Sequence, residues 1–416
     1  MNWRVLLAGL AAQAVAQTTQ HHHSHQYAHE EGHYRVAKRQ FPSPSPPAFM
    51  PEAKSATILA NVTDPNVTRD SCGSVKMGFR TLWSCRDTSL RIPGTDKYGF
   101  LFVNTVGWTD DFLDGSPIIQ EGGPEGAGST GSNPILLMRG PRPTLPAFYP
   151  LDASQCAPSG RCDDGATRWT GWPDSPPMIT DTAPDGTITA YTWTTNIHME
   201  SASFTVLNPQ GSTTLYKMTY LPDLDPNTVP NVTIVAVDFW KDHEIGYGTY
   251  GNVVKDGYAY LYGLTDPKAV ALARVPVDSV ENRLKYEYFV NGTWTSKIPA
   301  INDTAAVVPN AGTAGQGTYY YDDKHQSYVW IGQPYFAIWA DFFITTAPSP
   351  EGPWIQPYKL WSGVNGDGAL PAYSLQAHPH FLRPTDDGIY VTWTQFFKET
   401  TYSAVYITPL AYISFV

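Results

Sequence analysis

One pattern recurs along this chain and restricts its fold more than any other feature: a polar turn followed by a short strand of alternating aromatic residues. It occurs as Asp96-Lys97-Tyr98-Gly99-Phe100-Leu101-Phe102-Val103 and as Asp185-Gly186-Thr187-Ile188-Thr189-Ala190-Tyr191-Thr192-Trp193. The clearest copy is Asp256-Gly257-Tyr258-Ala259-Tyr260-Leu261-Tyr262-Gly263. Two more begin at Asp323, running to Gly332, and at Asp387, running to Thr394. The starts at 96, 185, 256, 323 and 387 lie 89, 71, 67 and 64 residues apart. A unit of that length holds four antiparallel strands with their loops, and such units set radially bury both faces of every sheet between neighbours. The expected fold is therefore all-β, a five-bladed β-propeller of four-stranded antiparallel blades, with a two-layer sandwich as the competing arrangement. Only 16% of residues are charged, while Gly, Pro, Tyr, Trp and Thr are plentiful, which favours strands and tight turns. Helical periodicity amounts to about one turn near Asp266 to Val270.

The N-terminus carries Arg4, an apolar run from Val5 to Val15 and a small-residue exit at Ala14-Val15-Ala16, the pattern of a secretory signal peptide over residues 1–16. The apolar run is too short to span a bilayer. Residues 17–39 hold six of the eleven histidines and end in Lys38-Arg39, which reads as a propeptide cut at a dibasic site. A Pro-rich lead-in over 40–54 then precedes a single domain at 55–416. Without residues 1–39 the chain keeps 23 basic and 36 acidic residues, so it has no electrostatic reason to bind nucleic acid or an anionic membrane.

Four cysteines form two close pairs, and an even count in an exported chain implies two disulfides. Proximity favours Cys72 with Cys85 and Cys156 with Cys162, although three connectivities are formally open. Asn-x-Ser/Thr sequons at Asn61, Asn66, Asn231, Asn291 and Asn302 each imply an exposed, N-glycosylated position, and with the dibasic site they point to eukaryotic secretion to the extracellular space.

In a propeller the innermost strand of each blade precedes its recurring turn, so residues eight to twelve positions upstream face the central cavity. That rule selects Asp87, Glu244 and His378 from three blades. Glycosidic-bond hydrolysis needs one carboxyl to protonate the leaving oxygen and a second to activate water or attack the anomeric carbon. Asp87 is expected as base or nucleophile and Glu244 as acid, against readings as a turn-capping aspartate and a surface partner of Lys241. Arg86, Asp111, His243, Tyr250, His378, Trp83 and Trp339 are expected to bind substrate, the aromatic rings by stacking on sugar faces. His378 and His380 flank Pro379 and would share one side of an extended strand. No third ligand accompanies them, so no metal site is expected. The acidic run Asp110-Asp111-Phe112-Leu113-Asp114 lacks the spacing of a standard calcium loop and is read as a solvated loop, although it could hold a structural cation.

The segments Gly251 to Gly263, Ala271 to Pro276 and Tyr286 to Trp294 resemble the core of an extracellular family long labelled a domain of unknown function. Some bacterial members of that family are endo-acting arabinofuranan hydrolases. Ser349-Pro350-Glu351-Gly352-Pro353-Trp354 is similar to a turn common in five-bladed arabinanases, xylosidases and invertases. The resemblance covers about Gly251 to Thr394. It implies a propeller glycosidase with a catalytic aspartate on the first inner strand, where Asp87 is expected to lie. The resulting expectation is a secreted, cofactor-free glycoside hydrolase that acts as a monomer on a carbohydrate polymer or glycan, such as an arabinofuranan. A lectin-like propeller without catalysis and a polysaccharide lyase, with His378 or His243 removing a proton, are the alternatives.

Overall fold

A computed structural model describes residues 49–92, 98–122, 134–141, 146–266, 268–398 and 406–416. The signal peptide, the His-rich segment, most of the Pro-rich lead-in and the Asp96-Lys97 turn lie outside them. Among the described residues every long element is a strand, and helix is limited to five three-residue 3-10 turns. No described helix is long and apolar enough to cross a membrane.

Five sheets follow one another along the chain, antiparallel except where Asn61–Thr63 pairs in parallel with Ile135–Leu137. The first is built from Cys72–Met77, Arg80–Cys85 and Thr105–Asp110. The second starts with Met178–Thr182, Ile188–Glu200, Thr213–Tyr220 and Asn231–Trp240, and Thr167–Trp172 pairs with the distal half of its long second strand. Gly251–Lys255, Tyr258–Leu264, Val270–Pro276, Glu287–Val290 and Thr293–Thr295 make the third. The fourth comprises Ala314–Asp322, Ser327–Pro334, Asp341–Ala347 and Tyr358–Ser362. The fifth joins Ala372–Ala377, Gly388–Phe396 and Pro409–Phe415 to Ala53–Thr63 from the other end of the chain. That last pairing ties the two ends of the domain into one sheet.

The first four sheets begin with a strand that turns back through a short hairpin, and in the fifth a ten-residue connection with a 3-10 turn does so. Gly78, Gly186 and Gly257 occupy these turns at φ 69°, 88° and 78°, a left-handed backbone that costs glycine nothing. The opening strands of the fifth, fourth, third and second sheets lie side by side in that order, and that of the first lies beside that of the fifth. Gly73 of the first opening strand lies against Pro176, just before the second. These opening strands are called hub strands below.

The core follows from strand alternation. In Tyr258–Leu264, Ala259 and Leu261 pack against the second sheet, whereas Tyr260 and Tyr262 pack against the fourth. In Ser327–Pro334, Tyr328 and Trp330 face back to the third sheet while Val329 and Ile331 face forward to the fifth. Tyr390 of the fifth sheet meets Trp83 and Cys85 of the first, and Leu82 of the first meets Ile188 and Ala190 of the second. Every sheet is thus covered on both faces by its two neighbours, the arrangement of a β-propeller. Each second strand carries a large aromatic side chain, Trp83, Trp193, Tyr262, Trp330 or Trp393, that is at most 1% exposed. Burial of this kind contributes roughly 2–3 kcal/mol per side chain.

Four of the five expected turn-plus-strand copies open second strands as anticipated, at Ile188, Tyr258, Ser327 and Gly388. The copy at Asp96 does not. Tyr98–Phe102 forms a hairpin with Thr88–Arg91, inserted between the second and third strands of the first sheet, and the two make a small separate sheet with Val67–Arg69, which precedes that sheet. The true turn is Gly78-Phe79, so the first hub strand is Cys72–Met77 and not the stretch around Asp87. Both disulfides pair as proximity suggested. Asn66, Asn231, Asn291 and Asn302 are exposed, whereas Asn61 is half-buried in a strand paired on both sides.

Candidate active site at the start of the hub strands

All hub strands run the same way along the axis, so the residues that precede them share one mouth of the propeller. Asp70-Ser71 precedes the first hub strand and Asp174-Ser175 comes shortly before the second. Beyond the Cys72–Cys85 disulfide the first hairpin ladder continues for one more step, with Asp70 N–H donating to Asp87 C=O (2.9 Å) and Arg86 N–H to Asp70 C=O (3.0 Å). The bridge and these two bonds hold Asp70, Arg86 and Asp87 together at the mouth. Arg86 reaches across to the second sheet. Its Nε donates to Asp174 Oδ1 at 2.5 Å, its Nη2 meets the same oxygen, and its guanidinium lies 5.2 Å from the Trp172 ring centre.

Asp70 is 7% exposed. Burial pushes its carboxyl up to about 6, with the Asp87 charge adding to the rise, while Arg86 and the hydroxyls of Ser71 and Tyr373 partly oppose it. Asp174 is also raised by burial, against the pull of Arg86. Tyr373, the second residue of the fifth hub strand, brings its hydroxyl beside Asp70 together with that of Tyr406. The mouth therefore holds two carboxyls from adjacent sheets, Asp174 ion-paired to the Arg86 guanidinium and Asp70 within reach of its charge, and Asp70 is poised to carry a proton in mildly acidic water. Such a pair can donate a proton to a leaving oxygen on one side and accept or attack on the other.

The expected site residues fall into three groups. Arg86 and Asp87 lie in the cluster, but Asp87 follows the second strand and its oxygens are occupied. Arg168 grips it through Nη1 (3.2 Å) and Nη2 (2.9 Å), and the Trp172 indole donates to it at 2.9 Å. Asp87 thus contributes fixed charge beside Asp70. Trp339 is 52% exposed on the loop after Ser327–Pro334, next to exposed Tyr335 and Phe336. That loop is at the same mouth, because Ile338 C=O accepts from Ala372 N–H, the neighbour of Tyr373.

The second group lies away from this mouth cluster. Glu244 closes a turn by accepting from Lys241 N–H (2.8 Å) and is gripped by Arg283 (2.8 and 2.9 Å), whose guanidinium covers Trp240 between the second and third sheets. No hydrogen bond, ion pair or ring contact among the described residues joins it to Asp87. His243 bonds to Gln210 beside it.

The third group is core. His378 is 0% exposed, and its ring nitrogens bond to Ser74 Oγ (2.5 Å) and Thr392 Oγ1 (2.7 Å), which leaves nothing for substrate. Pro379–Phe381 forms a 3-10 turn, so His380 does not share a strand face with His378, and the two rings stand at 86°. Trp83 and Tyr250, at 0% and 7% exposed, are packed between sheets. Asp111 accepts from Lys76 (2.5 Å) and Thr81 (2.7 Å) and Asp110 bonds to Arg80, while Asp110, Phe112, Leu113 and Asp114 are exposed, so the acidic run is a solvated loop anchored by two ion pairs. Among the described residues no three His, Cys, Asp or Glu side chains gather to hold a metal ion.

Sequence reasoning missed Asp70 and Asp174 because the first hub strand was assigned one hairpin too late. Two signals marked them: the repeated Asp-Ser before a hub strand, and the spacing Gly78-x4-Trp83, which matches Gly257-x4-Tyr262 and Gly388-x4-Trp393.

No protein-family model and no curated protein matches the chain. Solved structures do. A Bacteroides ovatus protein described only as a hydrolase superimposes with a TM-score of 0.54 at 15% identity, covering 85% of this chain and 86% of that one. The exo-β-1,3-galactanase of Phanerochaete chrysosporium, solved with β-1,3-galactotriose, gives 0.41 at 9% identity over 86% of this chain and 64% of that one. A GH43_1 enzyme from Xanthomonas citri gives 0.39 at 9% identity over 85% and 90%. The first likeness establishes a shared fold, and the two weaker ones add nothing to it.

Proposed function

We propose that this chain is a secreted glycoside hydrolase on a five-bladed propeller of mostly four-stranded blades, with Asp70 and Asp174 as its carboxylate pair. The observation that carries this reading is the position of those two side chains: both precede hub strands of adjacent sheets, both are raised by burial, and Arg86, ion-paired to Asp174, lowers both by its charge. Asp70, pushed to about 6 and flanked by the Asp87 charge, is the general acid that protonates the leaving glycosidic oxygen. Asp174, ion-paired to Arg86, is the carboxylate that activates water or attacks the anomeric carbon. Arg168 and Trp172 fix the Asp87 carboxyl beside the acid. Trp339, with Tyr335 and Phe336, offers apolar faces on which sugar rings of a polymer stack beyond the carboxyls.

Two disulfides and four exposed sequons support export. The resemblance over Gly251 to Thr394 puts an arabinofuranan first among substrates. A lyase based on His378 has no support, since that ring is buried and satisfied.

The test incubates the mature chain, starting at Gln40, with arabinan, galactan, xylan and fungal glucans and analyses products by chromatography. New reducing ends from one polymer support the proposal. Retention on a polymer without any product makes the chain a carbohydrate-binding propeller instead.

A further inference from the structure

A file of buried polar groups leaves Asp70 and crosses the mouth from the first sheet through the fifth to the fourth. Ser71 Oγ meets Asp70 Oδ1 at 2.5 Å and also contacts Ser374 Oγ, and Ser374 Oγ meets Gln316 Oε1 at 2.7 Å. Ser71 and Ser374 are 6% and 2% exposed. Their placement requires an unusual backbone. Ser71 and Ser374 sit at φ 50° and 54°, and Ala314, two residues before Gln316, at φ 61°. Left-handed backbone is unfavourable for a residue with a side chain, so it persists only where its surroundings hold it. Register shifts between Tyr373 and Gln376 and between Ala314 and Gly317 mark bulges at the starts of these hub strands, a device that re-aims side chains.

Each serine hydroxyl has one proton to give. The file therefore runs in one of two senses. With Asp70 protonated, Asp70 donates to Ser71, Ser71 to Ser374, and Ser374 to the Gln316 carbonyl oxygen. With Asp70 ionised, Ser71 donates to Asp70 and Ser374 to Ser71, and Gln316 must offer its NH2 to Ser374. A primary amide is the side-chain group that serves both senses by turning over.

The geometry points to Ser71, Ser374 and Gln316 as a positioning chain that couples the orientation of the Gln316 amide to the protonation of Asp70. Its catalytic consequence rests on the proposed role of Asp70 as the acid, whereas the coupling itself does not. The other groups facing Asp70 are Arg86 and Asp87 from the end of the second strand of the first sheet, and Tyr373 and Tyr406 from the fifth sheet, with Asp174 reached through Arg86. None of them bridges Ser71 to Gln316.

The experiment is a carbon-13 NMR titration of the full mature protein labelled at aspartate, with the Asp70 carboxyl assigned by its loss in Asp70→Asn. Gln316→Glu ends the chain on a group that only accepts when ionised and holds it in the protonated sense. The Asp70 midpoint is expected to rise by about one pH unit. Gln316→Lys, which only donates, is expected to lower it by a similar amount. In a Ser374→Ala background both shifts are expected to fall to less than half, because the link is cut and only the through-space effect of the new charge remains. Shifts of undiminished size in the Ser374→Ala background, or shifts that are absent beforehand, overturn the coupling. Should no polymer be cleaved, the hydrolase reading fails alone, since the titration needs no activity. If cleavage occurs, the basic limb of the rate profile is expected to move with the midpoint.

Discussion

The first hub strand, Cys72–Met77, has buried polar chemistry at its start and in its middle, and the two regions solve the problem of burial in opposite ways. In the middle, Ser74 and Thr392 satisfy both nitrogens of His378, whose ring is held neutral by burial. At the start, Asp70 is buried with a hydroxyl bond, and the nearest guanidinium is spent on Asp174. A satisfied buried network specifies structure, while an underserved buried carboxyl is held near its titration point, where proton transfer is useful. The two also respond to pH with opposite signs. Asp70 is raised from 3.8 to about 6, so its contribution to stability is full below pH 3.8 and is lost as pH rises through about 6. His378 is depressed below 6.5, so its contribution is present above that value and lost as pH falls.

The sharpest break of this contrast is Asp70→Asn. It is expected to lower kcat by about a thousandfold on a cleaved polymer, measured by initial rates on protein whose circular dichroism matches wild type. The same substitution should raise unfolding free energy at pH 7 by about 3 kcal/mol, the worth of the upward shift. Denaturant titrations at pH 7 and pH 4 check this, because the gain should shrink towards zero at the lower pH. His378→Ala should do the reverse, costing about 2 kcal/mol of stability through two stranded partners while kcat of the folded fraction is unchanged. Trp339→Ala is the mildest, an expected tenfold loss of affinity for polymer with little change on a short chromogenic glycoside. Affinity electrophoresis with and without polymer in the gel reads that effect.

Much of the architecture was legible because hairpin chemistry is local. Asp-Gly or its equivalent before an alternating strand marked the second strands at Ile188, Tyr258, Ser327 and Gly388. The first sheet hid its own copy, since Gly78-Phe79 lacks the aspartate and the inserted hairpin at Thr88–Arg91 and Tyr98–Phe102 imitates the pattern. That one slip moved the assigned hub strand and replaced Asp70 with Asp87, its backbone partner. Arg86, expected near substrate, lies in the same cluster as Asp70 and Asp174. The role of Asp174 was not legible, because it depends on a guanidinium 88 residues away in sequence. Glu244 is claimed by its own turn, through Lys241 N–H, and by Arg283, which packing between the second and third sheets brings to it, and only the second of these is beyond local sequence reading.

The direct trial of the central claim is a side-by-side rate measurement on one cleaved polysaccharide with Asp70→Asn, Asp174→Asn, Asp87→Asn and Glu244→Gln. The account predicts that the first two abolish product release in folded protein, that Asp87→Asn slows it partially, and that Glu244→Gln leaves it near wild type. Full activity in Asp70→Asn, or silence in Glu244→Gln with the fold intact, would contradict it.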